Sequence, residues 1–386
     1  MFVTALRCLR CGSEYPMDPN AYLCPKCGPG DRENDPGVLD VQYDYELVAR
    51  ALVQGGHVMS RRRGVFRYLP LLPMQNEAAI LPAGGTPLVS APRLANRLGL
   101  KALYLKDETR NPTRCLKDRA TAVAVTMALA LGRKDIYCAS AGNAAISLAG
   151  FCAHLGLRCH AFVPREASDT RLAWLRRYGA TVHVSSGNYD QAYGEAEAAA
   201  AEHGWYSRNC AFNPFLVEGK KTTALEIGEQ MRWRTPDLVV APVGDGCTLG
   251  AIGKGFRELA LVGLAERLPR LVGVQSEAIQ PLVRRRQGEA PREERGSTLA
   301  ASIAVRRPRN ALRLLAELET SKGTMVAVPD DEMAEAQRLL ASEAGMVAEL
   351  TSAATLAGLT KLAAAEPLAG KTAVLVITGG RPDGDS

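Results

Sequence analysis

From about Gly84 onwards, short apolar runs alternate with longer amphipathic or alanine-rich stretches. Runs such as Leu238–Val243 and Thr372–Thr378 do not alternate with polar residues, which is typical of strands buried on both faces. This alternation predicts an α/β fold, with a mainly parallel sheet covered by helices on both faces. The expected strands are Ala102–Leu105, Ile136–Ala139, Cys159–Val163, Thr181–Ser185, Leu238–Val243, Leu271–Gln275, Met325–Val328 and Thr372–Thr378. The expected helices are Asp118–Leu131, Ala144–Leu155, Thr170–Tyr178, Tyr189–His203, Lys220–Arg232, Thr248–Ala260, Asp331–Ser342 and Ser352–Ala364.

In parallel sheets of this kind, ligands bind at the carboxyl ends of the strands, so the loops that follow strands are candidate sites. Three such loops are rich in small residues: Ser140–Asn143, Gly244–Gly250 and Thr378–Gly380. The first two open helices, whose free backbone N–H groups and dipole favour an anion. The loop Gly244–Gly250 matches neither a Walker A loop nor the dinucleotide-binding pattern. Taken alone, it is as typical of a structural turn as of a phosphate site.

The composition limits the classes of function. The chain has 386 residues, of which 47% are hydrophobic, so it is long enough for two or three domains and too apolar to be disordered. Its net charge of +6 is a mild excess that fits a small anionic substrate better than a nucleic-acid surface. The most apolar stretch, Ala120–Leu131, is shorter than the roughly 20 residues that a bilayer requires, so we expect no membrane partner.

The cysteines indicate a metal site. Ten cysteines occur in a chain whose first residues contain no signal-peptide core, a pattern typical of reduced thiols in the cytoplasm. Four of them form two CxxC pairs separated by twelve residues: Cys8, Cys11, Cys24 and Cys27. Two such pairs can surround Zn²⁺ with four thiolates and leave no position for water, so we expect a structural zinc ribbon over residues 1–40. The alternative is four free thiols. Residues 41–83 are expected to form a linker and a helical segment.

Lys117 is the candidate catalytic residue. It follows an Asn-Pro-Thr turn in the segment Asn111–Ala120, and Asp118 is placed to cap the helix that begins there. A lysine at a helix start is most often a solvated surface residue, so the spacing alone does not establish catalysis. The segment resembles the motif Asn-Pro-Thr-Gly-Ser-Phe-Lys-Asp-Arg-Gly of threonine synthases, which are pyridoxal-phosphate enzymes of fold type II. In that motif the lysine binds the cofactor covalently.

The resemblance continues in order along the chain. The matching segments are Gly84–Leu88, Leu105–Glu108, Ser140–Ala144, Asn213–Thr222, Gly244–Gly250 and Thr378-Gly379. The two CxxC pairs, together with Tyr43–Tyr45, resemble the N-terminal extension of one threonine-synthase branch. Any one match is weak, but the ordered series identifies the chain as a member of the family.

This resemblance implies a two-domain, fold type II catalytic region over residues 84–386, with a smaller mobile subdomain at about 115–215. It implies that Lys117 holds pyridoxal 5'-phosphate, that Asn143 lies along the cofactor ring and that Thr378 faces its pyridine nitrogen. A neutral hydroxyl there suits elimination and replacement chemistry better than transamination. The remaining cofactor contacts are expected from Gly244, Asp245, Gly246, Cys247 and Thr248.

Lys117 must be neutral when it attacks the cofactor aldehyde and when it acts as a base. Burial and a neighbouring cation, Arg119 or Arg114, are therefore expected to lower its pKa.

The substrate contacts implied by the resemblance are less regular. Ser140, Ala141 and Gly142 are expected at the substrate carboxylate, although Ala141 stands where the family generally has a hydroxyl residue. One lost hydrogen bond to a charged group costs on the order of 1.5–3 kcal/mol. The leaving phosphate is assigned to Lys106, Asn213 and Arg114. Because Arg114 replaces a glycine of the motif, it either binds a second anion or lies on the outer side of the turn.

The reaction that the resemblance implies is threonine synthesis from O-phospho-L-homoserine and water, with release of phosphate. The expected assembly is a cytoplasmic homodimer. One alternative is a related β-replacing or β-eliminating enzyme, such as a cysteate or cysteine synthase or a threonine or diaminopropionate ammonia-lyase. Another is a cofactorless regulator that uses the ribbon to bind a partner. Lys117, Asn143 and the Gly244–Gly250 loop are intact, which argues against the regulator.

Overall fold

The computed structural model describes residues 2–31, 35–53, 62–290 and 292–380. All the expected strands from Ala102 onwards are present, with bounds shifted by two residues at most. The expected linker segment includes residues 54–61, which lie outside the described residues. The strands are β1 (Val3–Cys8), β2 (Glu14–Tyr15), β3 (Leu39–Tyr43), β4 (Leu88–Ser90), β5 (Ala102–Asp107), β6 (Asp135–Ala139), β7 (Arg158–Val163), β8 (Thr181–Val184), β9 (Tyr206–Ser207), β10 (Leu238–Pro242), β11 (Arg270–Ser276), β12 (Thr324–Val328) and β13 (Thr372–Ile377).

The sequence pattern predicted most of the helices. The α-helices are α1 (Tyr45–Val53), α2 (Pro92–Arg97), α3 (Lys117–Ala130), α4 (Asn143–Leu155), α5 (Asp169–Arg177), α6 (Tyr189–His203), α7 (Phe215–Gln230), α8 (Cys247–Leu261), α9 (Pro281–Arg286), α10 (Ala311–Thr320), α11 (Asp330–Ala344) and α12 (Leu350–Ala365). In the catalytic region α2, α9 and α10 were not expected, because the first two have only six residues and α10 follows a charged, proline-containing stretch. Within the described residues, no helix is long and apolar enough to cross a bilayer.

Two parallel sheets organise the catalytic region. The larger has the order β12-β11-β10-β13-β5-β4 and is parallel except for β4, which runs antiparallel to β5. The smaller, β8-β7-β6-β9, is parallel throughout. Residues of β10 and β13 are almost all buried, as their unbroken apolar sequences predicted. The expectation of an α/β fold with mainly parallel sheets is confirmed.

Close packing of α3 against α7 joins the smaller sheet to the larger. At their crossing, a Cβ atom on Gly219 would lie 2.1 Å from the Arg119 carbonyl oxygen, so only glycine fits there. This contact fixes the start of α3, where Lys117 lies, against a helix of the larger unit.

The N-terminal residues form a three-stranded antiparallel sheet of order β2-β1-β3. Its third strand extends to Tyr43, beyond the boundary expected at residue 40. This strand is anchored to the catalytic region: the Asp40 carboxylate accepts from Lys254 Nζ at 2.9 Å, and Tyr43 donates to Glu218 at 2.8 Å. The small sheet therefore packs against α7 and α8.

Candidate active site

A cavity of about 520 Å³ lies where the two parallel sheets face each other. Its wall is formed by the loops that follow β6, β10 and β13, together with Lys117 at the start of α3. The three loops singled out by their small residues thus meet at one place. The carboxyl ends of β10 and β13 share an edge of the larger sheet, and the carboxyl end of β6 in the smaller sheet borders the same cavity.

A set of hydrogen bonds holds the turn before Lys117. The Asp118 carboxylate accepts from the Thr113 backbone N–H and from Ser147 Oγ, both at 2.6 Å. Asp118 is therefore inside the helix and binds the preceding turn, rather than standing at the cap position. Leu116 N–H donates to the Thr378 carbonyl at 2.8 Å, which places Lys117 beside the end of β13.

Burial lowers the pKa of the Lys117 ammonium, and the positive charges of Lys220 and Arg208 lower it further. The direction of this pKa shift agrees with the expectation from the sequence. The cations that cause it are Lys220 and Arg208, whereas the sequence suggested Arg119 or Arg114. Arg119 is fully buried in salt bridges to Glu108 and Glu226, so its charge is already paired. A lowered pKa favours the neutral amine that a nucleophile or base requires.

The loop after β10 has the form of an anion site. Gly246 has a φ of +90°, a left-handed conformation that favours glycine, and it directly precedes α8. The Gly250 N–H is bonded to the Gly246 carbonyl at 3.0 Å, whereas the N–H groups earlier in the turn have no intrahelical acceptor. Burial raises the pKa of the Asp245 carboxyl, whose Oδ1 accepts from the Arg309 backbone N–H at 3.1 Å.

The other two loops present polar groups to the cavity. Ser140 Oγ accepts from the Gly142 N–H at 3.1 Å and thereby shapes its own loop. Asn143 donates through Nδ2 to the Glu349 carboxylate at 2.9 and 3.1 Å. The Thr378 hydroxyl lies 3.0 Å from Ser352 Oγ.

Two residues assigned to the leaving phosphate do not lie at the described cavity wall. Lys106 donates to the Thr86 carbonyl at 2.6 Å, to Glu226 at 2.7 Å and to Gln230 at 2.9 Å, so all three of its protons are used. Asn213 is buried, and its amide binds the Ser207 carbonyl and the Phe215 N–H. Both residues are held inside the fold by these bonds, and neither is among the residues that line the cavity.

Arg114 is also absent from the described cavity lining. It is exposed and has a φ of +64°, which explains why the family motif has glycine at this place. Of the two interpretations of Arg114, the structure therefore supports the outer side of the turn.

The four N-terminal cysteines come together as expected. The sulfur atoms of Cys8, Cys11, Cys24 and Cys27 all lie within 4.8 Å of one another. A tetrahedral set of four thiolates fits Zn²⁺, which this donor set favours, and leaves no open coordination position.

Comparison with known proteins agrees with the site. Residues 80–379 match a family described as pyridoxal-phosphate dependent enzyme. A threonine synthase of Methanocaldococcus jannaschii is 39% identical over 362 residues, which cover 92% of this chain and 87% of the relative. The chain belongs to the threonine synthase family. Other members of this family include the threonine synthases of Methanosarcina acetivorans, 36% identical over 97% of this chain and 91% of that protein, and of Mycobacterium leprae, 35% identical over 77% and 81%.

Solved structures give the same fold. The processed form of threonine deaminase isoform 2 from Solanum lycopersicum superposes with a TM-score of 0.66 at 21% identity, covering 77% of this chain and 80% of that one. The serine racemase of Dictyostelium discoideum gives a TM-score of 0.66 at 22% identity over 77% and 93%. This member of the threonine synthase family is therefore an α/β, fold type II pyridoxal-phosphate enzyme, as the sequence predicted.

The residues of the cavity fit pyridoxal phosphate. The Gly244–Thr248 turn offers unbonded backbone N–H groups, and the buried cations Lys220 and Arg208 lie in the same wall.

Sequence reasoning missed Lys220, Arg208 and Glu349. Lys220 lay within a recognised family segment, Glu218–Thr222, but nothing in that segment indicated which of its side chains faces the cavity. Arg208 and Glu349 carried no sequence signal, because they reach the site only through the packing of β9 and the start of α12.

Proposed function

We propose that the protein converts O-phospho-L-homoserine and water into L-threonine and phosphate. The observation that carries this proposal is the 39% identity to a threonine synthase over 92% of the chain. The cavity supports it, since Lys117, Asn143, Thr378 and the Gly244–Thr248 loop converge there.

When bound, pyridoxal phosphate withdraws electrons from the substrate carbons next to the amino group. Lys117 supplies the amine that attaches the cofactor, and its Nζ then removes the proton from the α-carbon. The lowered pKa of Lys117 favours the neutral amine, which is the form that can accept the proton. When the cofactor is bound, the neutral hydroxyl of Thr378 would face the ring nitrogen and would not stabilise a positive charge on it.

The substrate carboxylate is assigned to the backbone of Ser140–Gly142, at the start of α4. Ala141 contributes no hydroxyl, so the backbone N–H groups of this loop carry the contact. The residues assigned from the sequence to the leaving phosphate do not line the cavity, so we propose other cations for it. Arginine side chains at the cavity wall meet that need: Arg171, Arg306, Arg307 and Arg309.

The β-replacing and β-eliminating alternatives are favoured by two departures from the family motifs, at Arg114 and at Ala141. Arg114 is exposed and does not line the cavity that would receive an incoming anion, whereas Ala141 remains a departure from the family pattern.

A substrate panel tests the proposal. The purified holoenzyme is expected to release phosphate and threonine in equal amounts from O-phospho-L-homoserine. O-phosphoserine with sulfide or sulfite, and threonine alone, are the comparison substrates and should react at least ~100-fold more slowly. Rapid turnover of either comparison substrate, with none of phosphohomoserine, would assign the protein to a β-replacing or eliminating relative.

We also propose that the four-cysteine site holds one structural zinc ion. Replacing Cys24, which is buried, by serine is expected to remove the ion and to lower the melting temperature, because the thiolate set closes the loop before β3. Cofactor affinity should stay within about twofold of the wild type, because none of the four zinc-site cysteines lines the cavity. Replacing Cys159, a buried cysteine outside the cluster, by serine is the control for metal content. A gently purified wild type without zinc would contradict the proposal.

Two further features are proposed rather than observed. None of the ten cysteines, all of which lie in the described part of the chain, forms a disulfide, which fits the reducing cytoplasm as the compartment. The assembly is proposed to be a homodimer, which light scattering of the holoenzyme would test.

A further inference from the structure

Lys220 is a buried cation for which the proposed reaction has assigned no role. It lies on α7, is only 3% exposed and lines the cavity. The Cys247 thiol and the positive charge of Lys220 lower the pKa of the Cys210 thiol, which lines the same cavity. Cys247, the first residue of α8, donates its thiol to the Cys210 carbonyl at 3.3 Å. Lys220, Cys210 and Cys247 thus line the same cavity wall as the Gly244–Thr248 turn at the start of α8.

The same wall holds a second buried cation. Arg208 is 1% exposed and donates to Thr121 Oγ1 and to the Lys117 carbonyl, both at 3.1 Å. Among the described residues, neither Lys220 nor Arg208 forms a salt bridge with a carboxylate. Asp245 lies in the same cavity wall, but burial raises the pKa of its carboxyl, which weakens it as a counter-ion for Lys220.

A buried ammonium without a carboxylate partner is costly, because its desolvation is not offset by a permanent ion pair. The neighbouring Cys210 thiol can offset it only when deprotonated. The rest of this protein follows that rule: the buried Lys106, Lys221 and Lys254 are each paired with one or more carboxylates. Lys220 differs from them in facing a cavity rather than an acid. An anionic ligand placed there would supply the missing charge.

We propose that Lys220 binds the phosphate group of the cofactor, together with the backbone N–H groups of residues 244–249. This rests on the pyridoxal-phosphate chemistry of the proposed function. Arg208 is already bound to Thr121 and to the Lys117 carbonyl, so it contributes charge to the site while Lys220 supplies the hydrogen-bond donor.

Lys220 and Lys117 line the same cavity, and the positive charge of Lys220 favours the neutral form of Lys117 before the cofactor arrives.

Pyridoxine and pyridoxine 5'-phosphate separate the phosphate contact from the covalent one, since neither has an aldehyde that Lys117 could attack. The apoprotein is prepared as wild type, Lys220→Met and Lys220→Arg, and the dissociation constants of both compounds are measured by equilibrium dialysis. In Lys220→Met, the Kd of pyridoxine 5'-phosphate should rise roughly 10- to 100-fold, as expected for one charged hydrogen bond. The Kd of pyridoxine should stay within about twofold, and Lys220→Arg should recover at least part of the loss.

Lys101→Met, at an exposed lysine, is the matched control and should change neither constant. Equal weakening of both compounds would show that Lys220 only supports the fold and would overturn the proposal. An unchanged Kd for pyridoxine 5'-phosphate, with a raised KM for phosphohomoserine, would overturn it in favour of the substrate phosphate. Failure of the wild type to make threonine would refute the proposed reaction and leave the ratio of the two Kd values intact.

Discussion

Replacing Lys117 by alanine is expected to lower threonine formation by at least ~10³-fold, because one nitrogen both attaches the cofactor and removes the α-proton. The cavity contains a second buried lysine, Lys220, so the identity of the reactive amine has to be shown directly. Treatment of the wild-type holoenzyme with borohydride, followed by peptide mapping, should find the cofactor on the peptide that contains Lys117. In the alanine variant no peptide should carry it.

Lys101→Ala is the control, since that lysine is exposed, directly precedes β5 and does not line the cavity. It should retain full activity and normal labelling. Stable reduction of the cofactor onto Lys220 or any other lysine in the Lys117→Ala variant would remove the basis for the proposed site.

Replacing Glu226 by glutamine is expected to lower the free energy of unfolding by about 3–5 kcal/mol, the usual cost of breaking a buried ion pair. Its carboxylate accepts from Lys106 Nζ at 2.7 Å, from Arg119 at 2.7 and 2.8 Å and from the Gly85 N–H at 2.7 Å. Glutamine keeps the shape but leaves two buried cations with Glu108 as the remaining carboxylate of this network. Urea unfolding of the apoprotein measures the difference.

Glu335→Gln is the matched control, because Glu335 pairs with Arg338 on the exposed surface of α11. Such a surface pair contributes under about 1 kcal/mol. A Glu226→Gln variant as stable as this control would show that the network is dispensable for folding, and would reopen the assignment of Lys106 to substrate binding.

The buried ion pairs of Glu226 with Arg119 and Lys106 also predict that the stability of the fold depends on pH. Burial alone would raise the pKa of the Glu226 carboxyl, but Arg119 and Lys106 hold it well below its usual range. The stabilisation is therefore complete above the unfolded-state pKa of about 4.3 and is lost as the pH falls towards the lower folded-state pKa. The stability difference between wild type and Glu226→Gln should be constant near neutral pH and shrink below about pH 4.

The sequence was sufficient to predict the strands and the candidate sites at their carboxyl ends. Runs such as those of β10 and β13 have no polar alternation and could only be buried, and parallel strands bring their carboxyl ends together. Asn143 and Thr378 each follow the carboxyl end of a parallel strand, where the sequence indicated candidate sites, but the two strands belong to different sheets. How the two sheets meet is visible only in the structure.

Three of the substrate residues assigned from the sequence do not line the described cavity. Lys106, Asn213 and Arg114 were assigned because they stand in or next to recognised motifs, but a motif also contains residues that hold it in shape. Lys106 points from β5 into the ion network around Arg119, away from the cavity, and only the side-chain contacts show this. Lys220 was passed over for the converse reason: its exposure to the cavity depends on how α7 packs against α3, which no local pattern records.

The origin of the product atoms tests the central claim most directly. Phosphohomoserine is incubated with the holoenzyme in water enriched in heavy oxygen and deuterium, and the products are analysed by mass spectrometry and NMR. If the bond between the γ-carbon and its oxygen breaks and water adds at the β-carbon, heavy oxygen appears in the threonine hydroxyl and deuterium in its methyl group, while the released phosphate is unlabelled. Heavy oxygen in the phosphate with homoserine as product, or formation of 2-oxobutanoate and ammonia alone, would contradict the account.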